Sequence, residues 1–406
     1  MNSRLSGKKI LLGLTGGIAC YKAADLCRSL VKLGAQVQVV MTANATQFIT
    51  PMTMQALSGN PVFTDQWDAR VSNNMAHINL SRDADAILIA PCSTNFISKL
   101  SHGVCDDLLS TLCIARPAHL PLMIAPAMNV EMWQNAATQR NIAQILQDGI
   151  SLFGPGAGEQ ACGEIGMGRM LEPVQILAEL EAAFQAKLLK GKHVLVTAGP
   201  TYEPIDPVRG ITNLSSGKMG YAIALAAWEA GAEVTLVSGP TALASPYGTK
   251  RISVQTAQQM HDAVMMQIAQ NPQDIFIAVA AVADWRVANT SEQKIKKTAQ
   301  DPTPQLSFVE NPDILASVAA LKSAPYCVGF AAESENLLVH GAAKRIKKNV
   351  PLLVGNIGHT TFGKDENELI LFDDQGHHSL AKADKQSLAR LLIDEIAQRV
   401  ACGSNV

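Results

Sequence analysis

Neither sign of charge is in excess in this sequence. It has 33 Lys and Arg residues against 35 Asp and Glu residues, which gives a formal net charge of -2. A chain so balanced does not create the broad positive potential that attracts nucleic acid or anionic membrane surfaces. We therefore predict no nucleic-acid partner. Small anionic ligands stay open, because a few local cations are enough to bind them.

Long apolar runs are also missing. No apolar stretch reaches the roughly 18 residues that a membrane-spanning helix needs. The first residues, MNSRLSGKKILLGL, place basic side chains before an apolar run, but the run ends at Thr15-Gly16-Gly17 and no small-residue cleavage pattern follows. We interpret this segment as a first strand, and we predict a cytoplasmic protein with no membrane partner.

Paired cysteines are a third absence. The eight cysteines include no Cys-x-x-Cys pair and no cluster with histidine of the kind that binds zinc. They stand at Cys20, Cys27, Cys92, Cys105, Cys113, Cys162, Cys327 and Cys402. Most of them are therefore predicted to be buried free thiols.

The main feature of the sequence is an order of predicted strands, turn and helix that occurs twice. An apolar strand, a glycine-containing turn, a helix and a second strand follow one another from Lys8 to Met41, and the same order returns from Lys192 to Val237. The letters repeat too, with GKKILLGLTGG matched by GKHVLVTAGPT and LGAQVQVVMT by AGAEVTLVSG. At 406 residues and 48% hydrophobic composition, the chain is long enough for two cores.

Two such starts predict an α/β protein with two doubly wound, mainly parallel-sheet domains. We place them at residues 1–190 and 191–406, with Pro173 to Lys190 as the closing helix of the first. Further strands are predicted at 86–90, 122–125, 275–280, 326–330, 352–355 and 368–372. Sheets of this kind bind ligands at the carboxyl ends of their strands.

The first Gly-Gly turn is a candidate phosphate site. Gly16 and Gly17 lie between a strand and a helix, so their N–H groups and the helix N-terminus can bind an anion with the help of Thr15. The turn is not the G-x-G-x-x-G fingerprint, and Met41-Thr42 stands where an acidic residue would end the second strand. These features favour a mononucleotide over NAD.

Two later strands of the first half end in small polar residues. One runs into Ser93, Thr94 and Asn95, and the other into Ala127-Met128-Asn129. Because carboxyl ends of parallel strands meet at one edge of a sheet, both endings point to the same site. The alternative is that Ser93, Thr94 and Asn95 only cap the following helix.

The first half resembles the flavoprotein cysteine decarboxylase family, which binds FMN in a flavodoxin-like or Rossmann-like domain. The matching segments are TGGIACYK from Thr15, MAHINL with His77, APCSTN from Ala90, APAMN from Ala125 with Met132, and ACGEIGMGRM from Ala161. The family usually has alanine or serine where this chain has Cys20 and Cys92. The resemblance implies that FMN is bound by Gly16, Gly17, Thr42, Ser93, Thr94 and Asn95.

The resemblance also implies a chemistry. Loss of carbon dioxide from an acylated cysteine leaves a carbanion with no place for its electrons, so the thiol is first oxidised to a thioaldehyde with FMN as the acceptor. Cys162, on a glycine-rich flap that excludes water, is carried over as the acid of the final step. His77 is carried over as base or electrostatic partner, and Asn129 as the holder of the departing carboxylate. From the residues alone, a structural histidine and a buried free thiol are the alternatives.

In the second half, a long loop rich in turn formers follows the first strand, which favours a functional role. Ser215, Ser216 and Gly217 precede a helix and can offer hydroxyl and N–H groups to phosphates, with Lys218 as a cation. The alternative is an ordinary serine N-cap.

Charged residues follow further along the second half. Asp284 comes just beyond a predicted strand and suits a metal or ribose contact. KIKK from Lys294 and AAKRIKKN from Ala342 are cationic clusters that would each be a solvated face if they stood alone. Together with the serine-glycine loop they predict a triphosphate site, because four negative charges require several cations or Mg²⁺.

The second half resembles phosphopantothenoylcysteine synthetase. The whole chain resembles the bacterial bifunctional phosphopantothenoylcysteine decarboxylase and phosphopantothenate–cysteine ligase family. The segments that carry this are TAGPTYEPIDPVR, NLSSGKMG, AAVADWR, KIKK, NPDIL, VGFAAE and KRIKKN. The resemblance implies a role in coenzyme A biosynthesis. There, 4′-phosphopantothenate is activated by CTP as an acyl-cytidylate and joined to cysteine, and the product is decarboxylated to 4′-phosphopantetheine.

Residue roles in this half are implied by the resemblance position by position. Asn213 would hold the acyl-cytidylate, Arg209 the substrate phosphate, and Ala281 would also contact substrate. Lys294 would stabilise charge during nucleotidyl transfer. CTP would be bound by Ser215, Gly217, Asp284, Lys294, Asn311, Phe330, Lys344 and Lys348, with Asp284 also a ligand of Mg²⁺. Glu310 stands where many relatives have lysine, so a CTP contact there is made by the backbone or is lost.

The resemblance further implies a homo-oligomer in which decarboxylase trimers are linked by ligase dimers. Two other functions fit a pair of doubly wound domains: a flavin-dependent oxidoreductase fused to a nucleotide-binding domain, and a non-catalytic regulatory subunit. The lack of a dinucleotide fingerprint weighs against the first. Retention of His77, Asn129, Cys162, Asn213 and Lys294 weighs against the second.

Overall fold

The computed structural model contains two compact units, Met1–Phe184 and Gln185–Val406. Each unit has its own main sheet and its own hydrophobic core. The residues described are 3–68, 70, 73, 75–161, 163–296, 303, 305–333, 337–357 and 366–403. Within these ranges, none of the helices combines the length and the apolar character needed to cross a membrane.

The first unit is organised around a five-stranded parallel sheet. The strands of this unit are β1 (Lys9–Leu14), β2 (Gln36–Met41), β3 (Ala86–Cys92), β4 (Leu122–Pro126), β5 (Ser151–Leu152), β6 (Gly156–Glu159) and β7 (Ile165–Arg169). The sheet has the order β2-β1-β3-β4-β5, and β6 and β7 form a separate antiparallel hairpin. Because β2 and β3 lie on opposite sides of β1, their connections diverge and leave a crevice beyond the carboxyl ends of β1 and β3.

Helices cover the sheet of the first unit because their apolar residues recur with helical spacing. They are α1 (Cys20–Lys32), α2 (Pro51–Ser58), α3 (Ala76–Arg82), α4 (Thr94–His102), α5 (Leu108–Ala115), α6 (Val130–Gln134), α7 (Ala136–Gln147) and α8 (Pro173–Ala183). In α1, Ala23, Leu26, Cys27 and Leu30 form one buried face. Strand β3 is buried along its whole length, as expected of a parallel strand between two helical layers.

The second unit contains an eight-stranded sheet. The strands of this unit are β8 (His193–Ala198), β9 (Tyr202–Pro204), β10 (Gly210–Thr212), β11 (Glu233–Ser238), β12 (Thr249–Ser253), β13 (Ile275–Ala278), β14 (Trp285–Val287), β15 (Phe308–Glu310), β16 (Tyr326–Glu333), β17 (Leu352–Ile357), β18 (Glu366–Asp373) and β19 (Gly376–Asp384). The sheet has the order β12-β11-β8-β13-β16-β17-β18-β19 and is parallel from β12 to β17. Its strand order reverses between β8 and β13, which places a crevice there.

Two small antiparallel pairs and a set of helices complete the second unit. The pairs are β9 with β10 and β14 with β15. The helices are α9 (Lys218–Glu229), α10 (Ala257–Gln270), α11 (Ile314–Ala319), α12 (Leu337–Lys348) and α13 (Lys385–Gly403). Both units therefore have the predicted doubly wound, mainly parallel architecture.

The last helix of the first unit is shorter than predicted. We expected it to continue to Lys190, but α8 ends at Ala183. Leu189 is buried in the core of the second unit, and its N–H donates to the carbonyl of Ala230 (2.9 Å). The chain therefore leaves the helix early because these residues already belong to the second core.

The described cysteines are free thiols, and most of them are buried, as predicted. Of the described cysteines, Cys105 and Cys402 are exposed and the others are buried, while Cys162 lies outside the described residues. Burial raises the pKa of Cys20 and of Cys27 to about 11. These two thiols therefore stay protonated near neutral pH.

A buried ion pair joins α9 to α13 in the second unit. The Arg390 guanidinium donates from Nε and Nη2 to the two carboxylate oxygens of Glu229, at 2.6 and 2.7 Å. The side chain of Glu229 is 3% exposed and that of Arg390 10% exposed. Because water has little access to either group, the two charges depend on protein partners, and the guanidinium supplies that compensation for Glu229.

Glu229→Ala should lower the free energy of unfolding of this unit by about 3 kcal/mol, because it removes a carboxylate that forms two hydrogen bonds with the mostly buried Arg390 guanidinium. Urea unfolding followed by circular dichroism measures the change. Glu233→Ala is the matched control, since the Glu233 side chain is 81% exposed and should contribute less than about 0.5 kcal/mol. Equal effects of the two substitutions would contradict this account of the pair.

Candidate functional sites

Thr15 ties the end of β1 to the end of β3 in the first unit. Its buried hydroxyl donates to the carbonyl of Pro91 (2.8 Å) and accepts from the N–H of Ser93 (2.8 Å). The Cys20 thiol in turn donates to the carbonyl of Thr15 (3.3 Å). The turn after β1 is thereby held beside the loop after β3, at the crevice where the strand order reverses.

The Gly-Gly turn has the form of an anion cradle. The backbone N–H groups of Gly16 and Ile18 donate no hydrogen bond to a described residue, that of Gly17 is directed at the Cys20 sulfur, and the first turn of α1 has no acidic side chain. A Cβ on Gly16 would lie 2.6 Å from the Cβ of Asn44, whereas a Cβ on Gly17 would meet open space. Unpaired N–H groups at a helix N-terminus suit a phosphate group.

The three polar residues after β3 have different surroundings. Ser93 accepts from the N–H of Phe96 (3.3 Å), so it caps α4 as the alternative interpretation proposed. The Thr94 hydroxyl donates to the sulfur of Met128 (3.3 Å), which links the loops after β3 and β4. The Asn95 side chain is exposed and forms no hydrogen bond with a described residue. Capping therefore accounts for the serine but not for its two neighbours.

Asn129 caps α6 and also contacts the β6–β7 hairpin. Its Oδ1 accepts from the N–H of Met132 (3.0 Å), and its Nδ2 donates to Oε2 of Glu164 (3.3 Å). The N–H of Val130 donates to Oε1 of Gln160, which lies in the loop of the same hairpin (3.0 Å). The predicted carboxylate-binding residue thus joins the loop after β4 to the segment that carries Cys162.

Two glycines of this hairpin are required by close packing. A Cβ on Gly166 would lie 2.7 Å from a side chain of α6, and one on Gly168 would lie 2.6 Å from the carbonyl of Met128. We predicted these glycines as signs of a mobile flap, but their positions are explained by the docking of β7 against the loop after β4. Gly163 has a φ of +85° and open space around it. Cys162, the residue before it, lies outside the described residues.

His77 and Thr42 are the other predicted residues of this unit. His77 is half-buried near the start of α3, and neither ring nitrogen has a hydrogen bond or an ion pair with a described residue. Thr42 follows β2, where its N–H donates to the carbonyl of Leu14 (3.0 Å) and its hydroxyl accepts from the N–H of Ala45 (3.3 Å). Thr42 therefore shapes the turn that borders the Gly-Gly cradle.

The second unit contains a cavity of about 740 Å³ at the carboxyl ends of β8 and β13. It occupies the crevice at which the strand order of the sheet reverses, and its volume is typical of small-molecule sites. Residues predicted from several distant segments line it together: Asn213, Ser215, Gly217, Ala281, Asp284, Asn311, Phe330, Lys344 and Lys348.

Gly217, and not a serine, is the N-cap of α9. Its φ is +76°, a conformation that favours glycine, and no side chain caps this helix. The Ser215 hydroxyl accepts from the N–H of Gly217 (3.3 Å), and the Thr241 hydroxyl donates to the carbonyl of Ser216 (3.3 Å). The serine N-cap alternative is therefore wrong, and the loop is held by its neighbours instead.

Backbone carbonyls fix two predicted amide side chains at the cavity. Nδ2 of Asn213 donates to the carbonyl of Ala281 (3.0 Å), so the two predicted substrate residues join the loops after β8 and β13. Nδ2 of Asn311 donates to the carbonyl of Ala283 (2.8 Å). Both amides are held at the wall of the cavity by bonds to the same short segment after β13.

Asp284, the predicted magnesium ligand, belongs to no cluster of metal-binding side chains among the described residues. Asp284 is exposed at the cavity, and the part of the chain that is described has no group of three or more His, Cys, Asp or Glu residues able to hold a metal. Glu310 also lines the cavity, and its carbonyl accepts from Nη1 of Arg286 (2.8 Å). Mg²⁺ often binds through one or two carboxylates and substrate phosphates, so Asp284 fits a shared site of that kind.

Lysines outnumber carboxylates around the cavity. Lys218, Lys344, Lys347, Lys348 and Lys385 line it, against Asp284, Glu310 and Asp313. The cavity therefore has an excess of positive charge, which suits a polyanionic ligand.

Three of these lysines share one face of α12, with the spacing i, i+3 and i+4. Lys348 forms an ion pair with Asp313. Burial opposes ionisation of Asp313, but the Lys348 ammonium outweighs it and the pKa of Asp313 lies below its ordinary value. Sequence reasoning did not assign Lys347 or Lys385. Helical spacing within KRIKKN would have identified Lys347, whereas nothing near Lys385 in the sequence marks it.

Arg209 and Lys294 lie outside the residues that line this cavity. The Arg209 guanidinium donates to the carboxylate of Asp206 and to the carbonyl of Ile295 (3.0 Å). Lys294 is exposed on the segment that contains Ile295. Arg209 therefore contacts the segment that carries Lys294. Neither of these two predicted cations lines the cavity with the lysines of α12.

Comparisons with known proteins agree with the division into two units. A family model for the DNA/pantothenate metabolism flavoprotein C-terminal domain matches residues 189–400, and a model for flavoproteins matches residues 1–185. The chain is 49% identical over 400 residues to the coenzyme A biosynthesis bifunctional protein CoaBC of Vibrio cholerae, with 98% of this chain and 99% of the relative covered. It is 47% identical over 401 residues to the protein of that name from Escherichia coli K12, with 97% and 98% covered.

A solved structure is also similar to part of the chain. The crystal structure of the C-terminal domain of a coenzyme A biosynthesis bifunctional protein CoaBC has 35% sequence identity and covers 53% of this chain and 99% of its own, with a TM-score of 0.46.

Lys347→Gln should weaken the binding of inorganic triphosphate to the full chain roughly fivefold, or by about 1 kcal/mol, because it removes one cation from the cavity. Isothermal titration measures the dissociation constant. Lys322→Gln removes an exposed lysine that does not line the cavity, so it should leave the affinity unchanged. A loss that is the same for both variants would mean that only net charge matters.

Proposed function

The chain belongs to the family of CoaBC bifunctional coenzyme A biosynthesis proteins, and from this membership we propose how ligase and decarboxylase activities are divided along it. Residues 191–406 ligate 4′-phosphopantothenate to cysteine with CTP. Residues 1–190 decarboxylate the product, phosphopantothenoylcysteine, to 4′-phosphopantetheine with FMN. An oxidoreductase fusion and a regulatory subunit, the other two functions considered, gain no support from the site geometry.

The observation that best supports the ligase assignment is the lysine-rich cavity at the β8–β13 crevice. In the proposed reaction, the substrate carboxylate attacks the α-phosphorus of CTP and pyrophosphate leaves, which gives an acyl-cytidylate. The cysteine amine then attacks the acyl carbon and CMP leaves. Developing negative charge on the phosphates needs fixed cations, and Lys344 and Lys348 are held on a helix that lines the cavity.

Substrate recognition in the ligase is assigned to Arg209, Asn213 and Ala281. Asn213 already donates to the Ala281 carbonyl (3.0 Å), and its second amide hydrogen can bind the acyl oxygen of the cytidylate. Arg209 suits the substrate phosphate because its Nη1 can donate to phosphate oxygens while Nε and Nη2 stay bonded to Asp206 and Ile295. Lys294 is assigned to nucleotidyl transfer. Ser215, Gly217, Asn311 and Phe330 complete the CTP site, and Asp284 shares a Mg²⁺ with the triphosphate.

The first unit is suited to FMN because the turn of Gly16 and Gly17, with unpaired N–H groups at Gly16 and Ile18, forms a cradle for one phosphate. When bound, FMN supplies a reversible acceptor for the electrons of the substrate thiol. The other proposed FMN contacts come directly after two strands: Thr42 after β2, and Ser93, Thr94 and Asn95 after β3. The Thr15 hydroxyl keeps the loop of Ser93 in place. This arrangement offers no second phosphate site of the dinucleotide type.

The remaining groups of the first unit act on the substrate. Nδ2 of Asn129 donates one hydrogen to Glu164 and keeps a second for the carboxylate that leaves as carbon dioxide. His77 has no partner among the described residues and serves as base or electrostatic partner. Cys162 delivers the last proton to the substrate, and the glycine-rich segment that contains it in the sequence is assigned to exclude water.

We place the protein in the cytoplasm, as a homo-oligomer in which decarboxylase trimers are joined by ligase dimers. Both units expose large apolar side chains, which favours burial against other copies. Examples in the first unit are Tyr21, Met52 and Trp67, and in the second Leu214 and Trp285.

Wild-type protein given 4′-phosphopantothenate, cysteine and CTP should form 4′-phosphopantetheine, and CTP should outperform ATP at low concentration. Lys294→Gln should slow pyrophosphate release about a hundredfold, because removal of a preorganised cation costs about 3 kcal/mol. Asn213→Asp should also impair ligation, because it sets a carboxylate against an anionic intermediate. Mass spectrometry identifies the products.

Both variants should still decarboxylate supplied phosphopantothenoylcysteine at wild-type rates, since the altered residues belong to the other unit. A folded, correctly assembled variant that lost both reactions would refute the proposed division.

Cys162→Ser should bind FMN and ligate normally but form the final product at least about a hundredfold more slowly, because a serine hydroxyl is a much weaker acid than a thiol. The decarboxylated enethiol should accumulate and can be identified by mass spectrometry. Cys105→Ser, at an exposed cysteine outside the site, is the control. Normal product formation by Cys162→Ser would remove this thiol from the mechanism.

A further inference from the structure

A fully buried carboxylate lies in the loop between β9 and β10. The side chain of Asp206 is 0% exposed, although it carries a charge and the proposed reaction does not use it. A buried ion without partners would be strongly destabilising, so its contacts must compensate for the lost water. Those contacts identify what the charge does.

Asp206 first organises its own loop. Its Oδ1 accepts from the backbone N–H groups of Val208 (2.9 Å) and Arg209 (2.8 Å). Its Oδ2 accepts from Nε of Arg209 (3.0 Å) and from Nη2 of the same guanidinium. These two bonds to one oxygen give the Arg209 side chain a fixed direction, while 42% of it stays exposed to solvent.

Asp206 also holds a distant segment of the chain. Its Oδ2 accepts from the N–H of Ile295 (3.2 Å), and Nη2 of Arg209 donates to the carbonyl of Ile295 (3.0 Å). At the start of that segment, the N–H of Ser291 donates to the carbonyl of Ile205 (3.0 Å). Lys294 lies between these two attachment points, and its side chain is exposed.

The carboxylate stays charged at neutral pH. The hydrogen bonds from Arg209 hold the pKa of Asp206 well below its ordinary value, against the opposing effect of burial. The fixed negative charge is therefore present throughout the pH range in which a biosynthetic enzyme works.

We propose that Asp206 is a positioning residue of the ligase reaction, which sets the Arg209 guanidinium and the Lys294 segment in one geometry. This inference rests on the roles proposed for Arg209 and Lys294. A single carboxylate that binds the side chain of Arg209 and the backbone next to Lys294 holds the guanidinium in a fixed position relative to the backbone that carries Lys294. The substrate phosphate and the nucleotide phosphate then meet both charges in a constant arrangement, with little reorganisation during the reaction.

Asparagine is an informative replacement because it has nearly the same shape. Its oxygen can still accept from Val208 and Arg209, as Oδ1 does. Its amide nitrogen, in the place of Oδ2, would turn two donor hydrogens toward the guanidinium and the Ile295 N–H. Asp206→Asn should therefore release Arg209 and the Lys294 segment while it preserves most of the loop.

The test measures steady-state ligation by the full chain with CTP, cysteine and 4′-phosphopantothenate. Asp206→Asn should raise KM for 4′-phosphopantothenate and lower kcat for pyrophosphate release, with kcat/KM reduced roughly a hundredfold, as expected when reacting groups are misplaced by about 1 Å. Decarboxylation of supplied phosphopantothenoylcysteine should be unchanged.

Asp274→Asn is the matched control. Asp274 also accepts from a cation and a backbone N–H, those of Lys192 (2.9 Å) and His193 (2.8 Å), but it lies at the amino ends of β8 and β13, away from the cavity. It should change the thermal midpoint without changing KM or kcat of ligation. An equal kinetic loss in Asp274→Asn would attribute the effect of Asp206 to stability alone and overturn the inference.

A double-mutant cycle separates positioning from a purely structural role. If Asp206 acts through Lys294, the further loss caused by Lys294→Gln should be much smaller in the Asp206→Asn chain than in wild type. Losses that multiply independently would overturn the inference. Should Asp206→Asn fail to fold, Asp206→Glu keeps the charge but displaces it by one methylene, and full activity of that variant would be equally decisive against positioning.

The outcomes also separate this inference from the function on which it rests. A wild-type chain that does not ligate with CTP refutes the proposed function itself. A wild-type chain that ligates, together with Asp206→Asn at wild-type kcat and KM, refutes only the role of Asp206.

Discussion

Reversal of the strand order is the constraint on which both candidate sites depend. In a parallel sheet, every strand must be followed by a crossover, and neighbours whose crossovers go in opposite directions leave their carboxyl ends uncovered. This happens at β1 and β3 in the first unit and at β8 and β13 in the second. In each unit, one side chain joins the two loops that border the opening. Thr15 joins the loops after β1 and β3, and Asn213 joins the loops after β8 and β13.

The two openings handle negative charge by different physical means. The first offers the unpaired backbone N–H groups of Gly16 and Ile18 in a tight turn, which suits a single phosphate. The second is lined by five lysines and three carboxylates among the described residues, an excess of cations that suits a ligand with several negative charges, such as the proposed triphosphate. Close backbone approach serves both sites. At Gly239, for instance, a Cβ would lie only 1.8 Å from the carbonyl of Pro200, so the loops after β8 and β11 can meet only through a glycine.

The sequence predicted those parts of the fold in which a residue's own pattern decides its structure. Strands such as β3 and β8 are uniformly apolar and were located to within two residues, and the glycine-rich turns after β1 and β8 mark the ligand edge. It failed where partners distant in sequence decide. The helix α8 stops at Ala183 because Leu189 packs in the other core, and Gly166 is explained by a side chain of α6.

The candidate sites show the same contrast between residues recognised from local sequence and residues placed by distant partners. Motif residues such as Asn213 and Lys348 line the predicted cavity, because their strand-end loops and helix can be recognised from local sequence. The three-residue strands β9 and β10, which flank Asp206, are too short to show alternation, so the buried contacts of Asp206 could not be predicted. Lys385 lines the cavity from the start of α13, where the sequence gives no signal.

The ion pair between Lys348 and Asp313 gives the proposed ligase an internal competitor for its own nucleotide. A phosphate that recruits Lys348 must first displace a carboxylate, so part of the attraction is lost before the complex forms. The same exchange runs in reverse after the reaction, when Asp313 can take the ammonium back from pyrophosphate. In the proposed reaction, the pair therefore lowers the affinity for the entering triphosphate and favours departure of the leaving group.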